Sequence, residues 1–282
     1  MALADVTAWQ GRSSTETATM DAAQAARVHA TIGDPHQGPP RAGDPLPALW
    51  HWCLFTPSDP MARLGRDGHP ATGGFLPHVG LERRMWAGGA LRFHAPLRVG
   101  EPVTRVSSVR SVVEKQTASG PMVLVSVDHV ISGSRGVAVQ ERQDIVYLQI
   151  PDRFVPPRQI PLPDAPVLHH VAPMSETLLF RYSAITFNAH RIHYDLAYTR
   201  EVEHYPALVV HGPLQATLLM QAACDHRRSR PAQFDFRARH PMFAGDALDI
   251  MGVEEDANSL TLWTGQKGYQ GMQATAIWEG TV

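Results

Sequence analysis

A ten-residue pattern occurs twice in this chain, and it constrains the fold more than any other feature of the sequence. Residues 92–101 read RFHAPLRVGE and residues 237–246 read RARHPMFAGD, so arginine, proline, glycine and an acid recur at equal spacing. Proline ends the hydrogen-bond ladder of one strand, and glycine permits a tight turn into the next. Predicted strands follow both copies in the same order. We therefore expect an internal duplication, with Pro96 equivalent to Pro241.

Valine-rich segments with alternating apolar residues predict strands in both halves. The predicted strands are 91–95, 103–113, 122–131, 137–150, 178–183, 233–239, 247–254, 259–264 and 272–278. Each half also has a predicted helix. The first begins at the capping-box spacing of Ser13–Glu16 and ends at Gly33, and the second runs from Pro213 to Asp225 with proline at its first position. The pattern predicts an α+β fold with a curled antiparallel sheet around a helix in each half.

The clearest predicted boundary is 151–173, where seven residues are proline. A segment so rich in proline acts as a semi-rigid linker. We therefore predict an N-terminal half at 1–150, a linker at 151–173 and a C-terminal half at 174–282. Within the first half, residues 56–80 are dominated by turn-forming residues and predict a long irregular segment, of the kind that often shapes a binding site.

Composition excludes several functional classes. The 282 residues carry 25 basic and 27 acidic side chains, and a formal net charge of −2 does not favour nucleic-acid binding. The two cysteines, Cys53 and Cys224, exclude a disulfide framework and favour a reducing compartment. Residues 1–10 lack a signal-peptide pattern, and no apolar run approaches eighteen residues, so we expect a soluble cytoplasmic protein without membrane contact.

Polar chemistry is concentrated in two segments of the second half. Residues 186–195 read TFNAHRIHYD, and residues 209–213 read VVHGP. The first segment places the Asn188 amide and the His193 imidazole five positions apart. The second places Gly212 before the proline that begins the predicted helix, where backbone N–H groups attract negative charge. The two segments together predict an active-site loop and an oxyanion-binding helix start.

The first of these segments resembles the motif of the MaoC-like, R-specific enoyl-CoA hydratases, Asp-x-Asn-Pro-(Ile/Leu)-His followed by an acid. Here asparagine replaces the catalytic aspartate, and His190-Arg191 replaces Asn-Pro. The altered form, together with VVHGP, the upstream LWHW at 49–52 and RRMWAGG at 83–89, resembles the double-hotdog subgroup. That subgroup contains the itaconyl-CoA and mesaconyl-C4-CoA hydratases and the mitochondrial-type 3-hydroxyacyl-thioester dehydratases. The resemblance runs from about position 46 to the C-terminus.

The resemblance implies an α+β double hotdog and reversible hydration of a 2-enoyl-CoA thioester. It needs no cofactor, since CoA is part of the substrate. His193 is the expected base, and the Gly212 N–H is the expected oxyanion donor. Asn188 cannot take a proton at neutral pH, so we expect its carbonyl to orient the water. The first half has no equivalent pair around His51, so we predict one active site per chain.

Further residues are predicted to bind the substrate. The candidates are Arg191, His190, His211, Tyr194, Arg83, Arg84 and Trp86. Arg191 is either a surface charge or a clamp for a phosphate or carboxylate, and the Arg83–Arg84 pair is either solvated or binds the distal carboxylate of a C5 dicarboxylic acyl group. The aromatic residues Trp50, Trp52, Phe55 and Trp86 are expected to pack the core, with acyl-pocket lining as the alternative.

Three points of interpretation stay open. Asp195 is either a helix cap or a functional acid. His190, His193 and His211 resemble a zinc set, but without a further cysteine or acid at ligand spacing we expect no metal. Cys224 is expected to be an inert core residue.

Three alternatives to the enoyl-CoA hydratase remain. The same chemistry run as dehydration serves fatty acid synthesis. A hotdog thioesterase commonly needs a carboxylate where Asn188 stands, and a non-catalytic acyl-CoA-binding protein would explain the loss of that carboxylate. The oligomeric state also stays open between a monomer and a homodimer, since a double hotdog already makes within one chain the sheet pairing that single hotdogs reach by dimerising.

Overall fold

A computed structural model describes residues 7–117 and 120–279. The strands are β1 (Ser13–Thr19), β2 (Arg83–Phe93), β3 (Pro102–Thr117), β4 (Gly120–Gly133), β5 (Gly136–Leu148), β6 (Leu168–Pro173), β7 (Gln233–Ala238), β8 (Ala247–Asp256), β9 (Ser259–Gln266) and β10 (Tyr269–Ile277). The α-helices are α1 (Ala22–Ile32), α2 (Glu176–Thr186), α3 (Leu196–Glu201) and α4 (Gly212–Arg227). Short 3₁₀ helices include Trp50–Cys53 and Arg191–His193.

The strands form one antiparallel sheet in the order β1-β3-β4-β5-β2-β7-β10-β9-β8-β6. The first five belong to the N-terminal half and the last five to the C-terminal half, and β2 pairs with β7 where the halves meet. The glycine pair of RRMWAGG lies at this junction. A Cβ on Gly88 would stand 2.6 Å from the Phe236 carbonyl oxygen, and one on Gly89 would stand 2.7 Å from that of Arg142. Glycine therefore permits the close approach of the strands.

The repeated ten-residue pattern has the same structural role in both halves. β2 and β7 each end shortly before the proline, and Gly100 and Gly245 both adopt positive φ, at 88° and 94°, just before β3 and β8. Only glycine adopts this conformation readily. The predicted duplication is therefore visible as a repeated strand–turn–strand unit.

The core of the C-terminal half is built on α4. Leu214, Leu219 and Ala223 are fully buried, and the helix packs against β6 to β10. Its start and its proline at the first turn agree with the prediction. The first half contributes the shorter α1 and the 3₁₀ helix Trp50–Cys53. The architecture agrees with the predicted α+β double hotdog. The prediction of a separate sheet in each half was wrong, because β2 pairs with β7 and joins the two into one sheet.

Two predicted elements were wrong. Ser13–Glu16 does not cap a helix, because this threonine-rich, alternating stretch pairs along β3 as β1, and Asp21 caps α1 instead by accepting from Gln24 N. Residues 178–183, predicted as a strand, lie in α2. Ser175 caps this helix, and its buried residues Leu179, Tyr182 and Ser183 have helical spacing.

The irregular part of the predicted linker is shorter than 151–173, because its last six residues form β6 and pair with β8. The signal-peptide interpretation concerns residues 1–10, of which 1–6 lie outside the described residues. In the part of the chain that the structure covers, no helix combines the length and apolar character needed to cross a membrane.

Candidate active site

A cavity of about 1200 Å³ opens between the two halves of the sheet, the irregular segment after residue 55 and the motif at 186–195. Its walls include Trp52 and Trp86 from the first half and Asn188, Tyr194 and Pro213 from the second. Such a volume is at the upper end of ordinary small-molecule sites. The cavity therefore has room for a large ligand.

The motif is held in place by backbone turns at the end of α2. Phe187 adopts the left-handed conformation with φ of 48°, and the Asn188 N–H donates to Ser183 O at 2.8 Å. The Asn188 side-chain oxygen accepts the His190 N–H at 2.9 Å. The carbonyl predicted to orient water thus already accepts one hydrogen bond in a turn and keeps a second lone pair, while the amide nitrogen of Asn188 is a further group for a ligand.

His193 is buried and held in one tautomer. Its Nδ1 donates to Val209 O at 2.7 Å, so Nε2 carries the lone pair. Its ring stacks on His211 with centroids 3.6 Å apart and planes 20° from parallel. Burial lowers the pKa of His193 to about 3, against the opposing effect of the Val209 carbonyl. His193 is therefore neutral at physiological pH.

The neighbouring histidines are also buried and neutral. The His211 ring Nε2 bonds the Ser183 hydroxyl at 2.9 Å, while its Nδ1 lacks a partner among the described residues. The His190 ring lies 5.4 Å from His193, and its Nε2 likewise has no described partner. Burial holds the pKa values of His190 and His211 well below the usual range.

A loop of the first half docks onto the motif. Asp67 O accepts the Arg191 N–H at 2.9 Å, and the His69 ring lies 4.1 Å from the His190 ring. The Asp67 carboxylate bonds His69 Nδ1 at 2.8 Å and its backbone N–H at 3.0 Å. Sequence reasoning did not single out Asp67 and His69. The one available signal was their place in the long irregular segment expected to shape a site.

The structure separates the sequence-predicted site residues into three groups. Asn188, Tyr194, Arg84 and Trp86 line the cavity. The second group does not line the cavity. His190, His193 and His211 are buried behind its wall, and Gly212 lies at its edge, next to Pro213.

Arg191 and Arg83 form the third group, because both are paired elsewhere. Arg191 bonds Asp195 at 2.7 Å and lies over the Tyr198 ring. Asp195 also caps α3 by accepting the Tyr198 N–H, so the capping interpretation of this residue is confirmed. Arg83 is buried against Glu203 at 2.7 Å, so it is not the solvated side chain considered from the sequence.

Arg84, in contrast, is available to a ligand. It lines the cavity, and its Nη2 donates to Pro70 O at 3.4 Å. Among the described residues it forms no salt bridge. Its positive charge is one of the causes that lower the pKa values of Asp67 and His69.

The aromatic residues divide between core and cavity. Trp50 is fully buried in the core, whereas Trp52, Phe55 and Trp86 line the cavity. Trp52 and Trp86 meet edge to face with centroids 4.9 Å apart. Phe55 also belongs to the core, and Trp52 and Trp86 pack against it, so these three side chains serve both the core and the cavity wall.

In the first half, His51 has a structural partner. Its Nε2 lies 2.9 Å from the Glu141 carboxylate, which also accepts from Trp52 Nε1 at 2.9 Å. Burial opposes ionisation of Glu141, but the contact with His51 outweighs it, so the pKa of Glu141 is about 2. His51 is therefore part of a buried structural network with Glu141 and Trp52.

The residues whose ligand atoms lie close enough together to share a metal ion are not the His190–His193–His211 set considered from the sequence. Ligand atoms of Asp67, His69 and His190 lie within 4.8 Å of one another. The Asp67 carboxylate is already bonded to His69, and the Arg84 charge nearby opposes binding of a cation.

Solved structures share this architecture. HtdX of Mycobacterium tuberculosis superimposes with a TM-score of 0.67 at 19% identity, covering 94% of this chain and 98% of that one. Another M. tuberculosis protein, described as having a double hotdog fold, gives a TM-score of 0.55 at 14% identity, covering 95% of this chain and 96% of that one. At these identities the likeness establishes the fold, which is a double hotdog.

Sequence comparison places the chain more narrowly. It is 45% identical over 247 residues to the mesaconyl-C(4)-CoA hydratase of Chloroflexus aurantiacus, covering 86% of this chain and 87% of that protein. The profile of the hydroxyacyl-thioester dehydratase type 2 family matches residues 49–244, which include both polar segments. The chain therefore belongs to the hydroxyacyl-thioester dehydratase type 2 family of hydro-lyases.

Proposed function

We propose that this protein is a reversible hydratase that adds water to the 2,3-double bond of mesaconyl-C4-CoA. The observation that carries the proposal is Arg84, a cation on the cavity wall without a described acid partner. The mesaconyl group is a C5 dicarboxylic acyl group, so a thioester at one end leaves a free carboxylate at the other. A guanidinium in the cavity is the side chain best suited to bind that carboxylate. The 45% identical hydratase supports the same substrate.

The carboxylate sits on the carbon that water attacks, so its binding site and the proton-transfer groups must be neighbours. Arg84 meets this requirement, because its charge acts on the half-buried His69 and the buried His190 beside the motif. Asn188 also lines the cavity, and its amide nitrogen can donate to the water or the carboxylate. This arrangement favours an acyl group with a charge at the β-carbon over a plain fatty acyl group.

His193 is proposed to act on the attacking water. Hydration needs an acceptor for the water proton and a donor for the α-carbon. The bond from Nδ1 to Val209 O turns the Nε2 lone pair away from the backbone and makes it an acceptor. The enolate that forms on the thioester oxygen is proposed to accept the N–H of Gly212, at the start of the 16-residue α4.

The mouth of the cavity suits a CoA arm. The rings of Phe180, Phe187 and Tyr194 are 65%, 63% and 47% exposed, and all three line the cavity. Exposed rings grouped at a cavity mouth offer a surface for the pantetheine chain or the adenine base. No cofactor besides this CoA, which is part of the substrate, enters the proposal.

Two alternatives retain the same chemistry. Itaconyl-CoA is also a C5 dicarboxylic thioester and would use Arg84 in the same way. Dehydration of a 3-hydroxyacyl thioester in fatty acid synthesis is favoured by the family to which the chain belongs. This second alternative has no use for an unpaired arginine beside the reacting carbons.

The test is a panel of mesaconyl-C4-CoA, itaconyl-CoA and crotonyl-CoA. Loss of the conjugated thioester absorbance reports hydration of mesaconyl-C4-CoA and crotonyl-CoA, and formation of the hydroxyacyl-CoA product reports hydration of itaconyl-CoA, whose double bond is not conjugated with the thioester. We expect mesaconyl-C4-CoA to give the highest kcat/KM, and His193→Gln to lower kcat at least 100-fold. His94→Gln is the matched control, because the His94 side chain is exposed and its ring bonds only Gln140 among the described residues. Release of free thiol would favour a thioesterase, binding without turnover a carrier, and a preference for crotonyl-CoA the fatty acid reaction. Each of these three results contradicts the proposal.

A further inference from the structure

In the described part of the chain, two imidazoles line the cavity, those of His69 and His129. His69 is the one beside the motif, with its ring 4.1 Å from that of His190, whereas His129 is only 6% exposed. Among the described residues, His69 is part of the cavity wall, whereas His190, His193 and His211 are not. The side chain of His69 is 22% exposed. His193 itself is only 6% exposed. A substrate seated in the cavity therefore meets His69 directly.

His69 is oriented as a proton acceptor. The Asp67 carboxylate receives the His69 Nδ1–H at 2.8 Å, which fixes the tautomer and leaves the Nε2 lone pair for a bound molecule. A carboxylate in this position also stabilises the imidazolium that forms when Nε2 takes a proton. The pair has the arrangement of an acid–base dyad.

The dyad is held against the motif and is not a free surface pair. Gly68, between the two residues, has φ of 89°, and a Cβ there would stand 1.9 Å from the Ala189 carbonyl oxygen. The Asp67 carbonyl accepts the Arg191 N–H at 2.9 Å. The backbone of the first half thus touches the motif on both sides of His190.

We infer that His69, oriented by Asp67, is a catalytic acid–base residue that supplies the proton transfer Asn188 cannot perform. The inference rests on the proposed hydration and deepens it. Asn188 stands where the motif of the related hydratases has an aspartate, and an amide does not accept a proton at neutral pH. The Asp67–His69 pair supplies an ionisable group to the same cavity from the other half of the chain.

The step balances without any further reactant. One O–H bond of water breaks, and its proton passes to Nε2 of His69 while the oxygen bonds the β-carbon. The π electron pair moves to the thioester oxygen and forms the enolate. The imidazolium then gives the proton to the α-carbon as the enolate collapses, and Asp67 stays a carboxylate. With His69 as the base, the role of His193 narrows to accepting a hydrogen bond from the other O–H of the water, which suits a ring that holds protons weakly.

The groups around the ring favour this role at neutral pH. Asp67 faces His69 from its own loop, Arg84 from β2 and His190 from the motif. Burial and the Arg84 charge lower the pKa of His69, while Asp67 raises it, and the net direction is downward. The ring is therefore neutral and can accept a proton. The acid limb of the kcat/KM profile, which reports protonation of this ring, depends on Asp67.

The test compares His69→Gln, Asp67→Asn and the control His94→Gln in steady-state hydration of mesaconyl-C4-CoA. We expect His69→Gln to lower kcat at least 100-fold with KM changed less than fivefold. We expect Asp67→Asn to lower kcat at least tenfold and to move the acid limb of the kcat/KM profile to lower pH, because the charge that raises the His69 pKa is gone. Imidazole in the buffer should restore part of the activity of His69→Gly.

Several results would overturn the inference. One is that His69→Gln retains more than half of kcat. Another is that Asp67→Asn leaves the acid limb of the kcat/KM profile where it was. A third is that a lower melting temperature explains the loss of kcat in His69→Gln and that imidazole restores no activity to His69→Gly. Activity of the unaltered protein that EDTA removes and Zn²⁺ restores would assign Asp67, His69 and His190 to a metal instead. If the unaltered protein hydrates no enoyl-CoA, the proposed function has failed, and that result is distinct from all of these.

Discussion

At the scale of single residues, the site combines Arg84, which has no salt-bridge partner among the described residues, with several neutral imidazoles. Arg83 and Arg84 are adjacent in sequence, yet the first is buried against Glu203 and the second lines the cavity. The difference follows from strand geometry, since successive side chains of β2 point to opposite faces. Specificity for a dicarboxylic acyl group is therefore expected to depend on Arg84.

Arg84→Gln should discriminate between substrates. Losing a charge-assisted hydrogen bond of about 1.5–3 kcal/mol raises KM about 10- to 100-fold for mesaconyl-C4-CoA. Crotonyl-CoA has no carboxylate, so its kcat/KM should change less than threefold. Arg110→Gln removes a charge that is 55% exposed and is the control. Equal losses on both substrates would show that Arg84 supports the fold and does not recognise the acyl group.

At the scale of elements, the active site depends on the contact between the loop at 65–70 and the motif after α2. Gly68 makes this contact possible, because it supplies both a positive φ and the absence of a side chain. Gly43 has nearly the same φ, at 85°, but a Cβ there would meet nothing within 4 Å. Comparing alanine substitutions at the two glycines therefore distinguishes the cost of the backbone conformation from the cost of the steric contact.

Gly68→Ala should therefore cost more than Gly43→Ala. Both variants lose about 1–2 kcal/mol of unfolding free energy from the left-handed conformation. Only Gly68→Ala also pushes the loop from the Ala189 carbonyl, so its kcat should fall at least tenfold while that of Gly43→Ala stays near the unaltered value. Urea unfolding and steady-state kinetics measure the two effects. Equal kcat values would mean that docking of the loop does not matter for catalysis.

At the scale of the whole molecule, the ten strands of the described residues form a continuous sheet across the two halves. Three buried histidines lie where the second half meets the first-half loop. His190, His193 and His211 all have lowered pKa values, mainly because burial disfavours the charged ring. In the unfolded chain these three histidines bind protons below pH about 6.5, whereas in the folded chain the same three rings stay neutral at that pH. Stability is therefore lost as pH falls through this value.

Urea unfolding at pH 7.5 and 5.5 should show this loss. Each histidine that stays neutral contributes up to about 1.4 kcal/mol per pH unit below 6.5. The pKa of His193 is about 3, so its contribution extends through this whole range. The pH dependence of the unfolding free energy should be smaller in His193→Gln than in the unaltered protein. Identical slopes would indicate that His193 is solvated in the folded state.

The sequence by itself determined the duplicated strand order, the helix at 213–225, and the motif with its altered residues. These features depend on local patterns, namely the spacing of proline and glycine, the alternation of apolar residues and a ten-residue signature. Local pattern failed for 13–16 and 178–183, where pairing with β3 and a cap at Ser175 decided the outcome.

Only the tertiary structure decided which chemical groups share the cavity. Asp67 and His69 lie more than 115 positions before the motif, and no spacing along the chain connects them to Asn188. The close approach at Gly68 brings them together. The same packing pairs Arg83 with Glu203 and leaves Arg84 to the cavity, since burial requires a partner for one charge, while the face of the strand opens the other to a ligand.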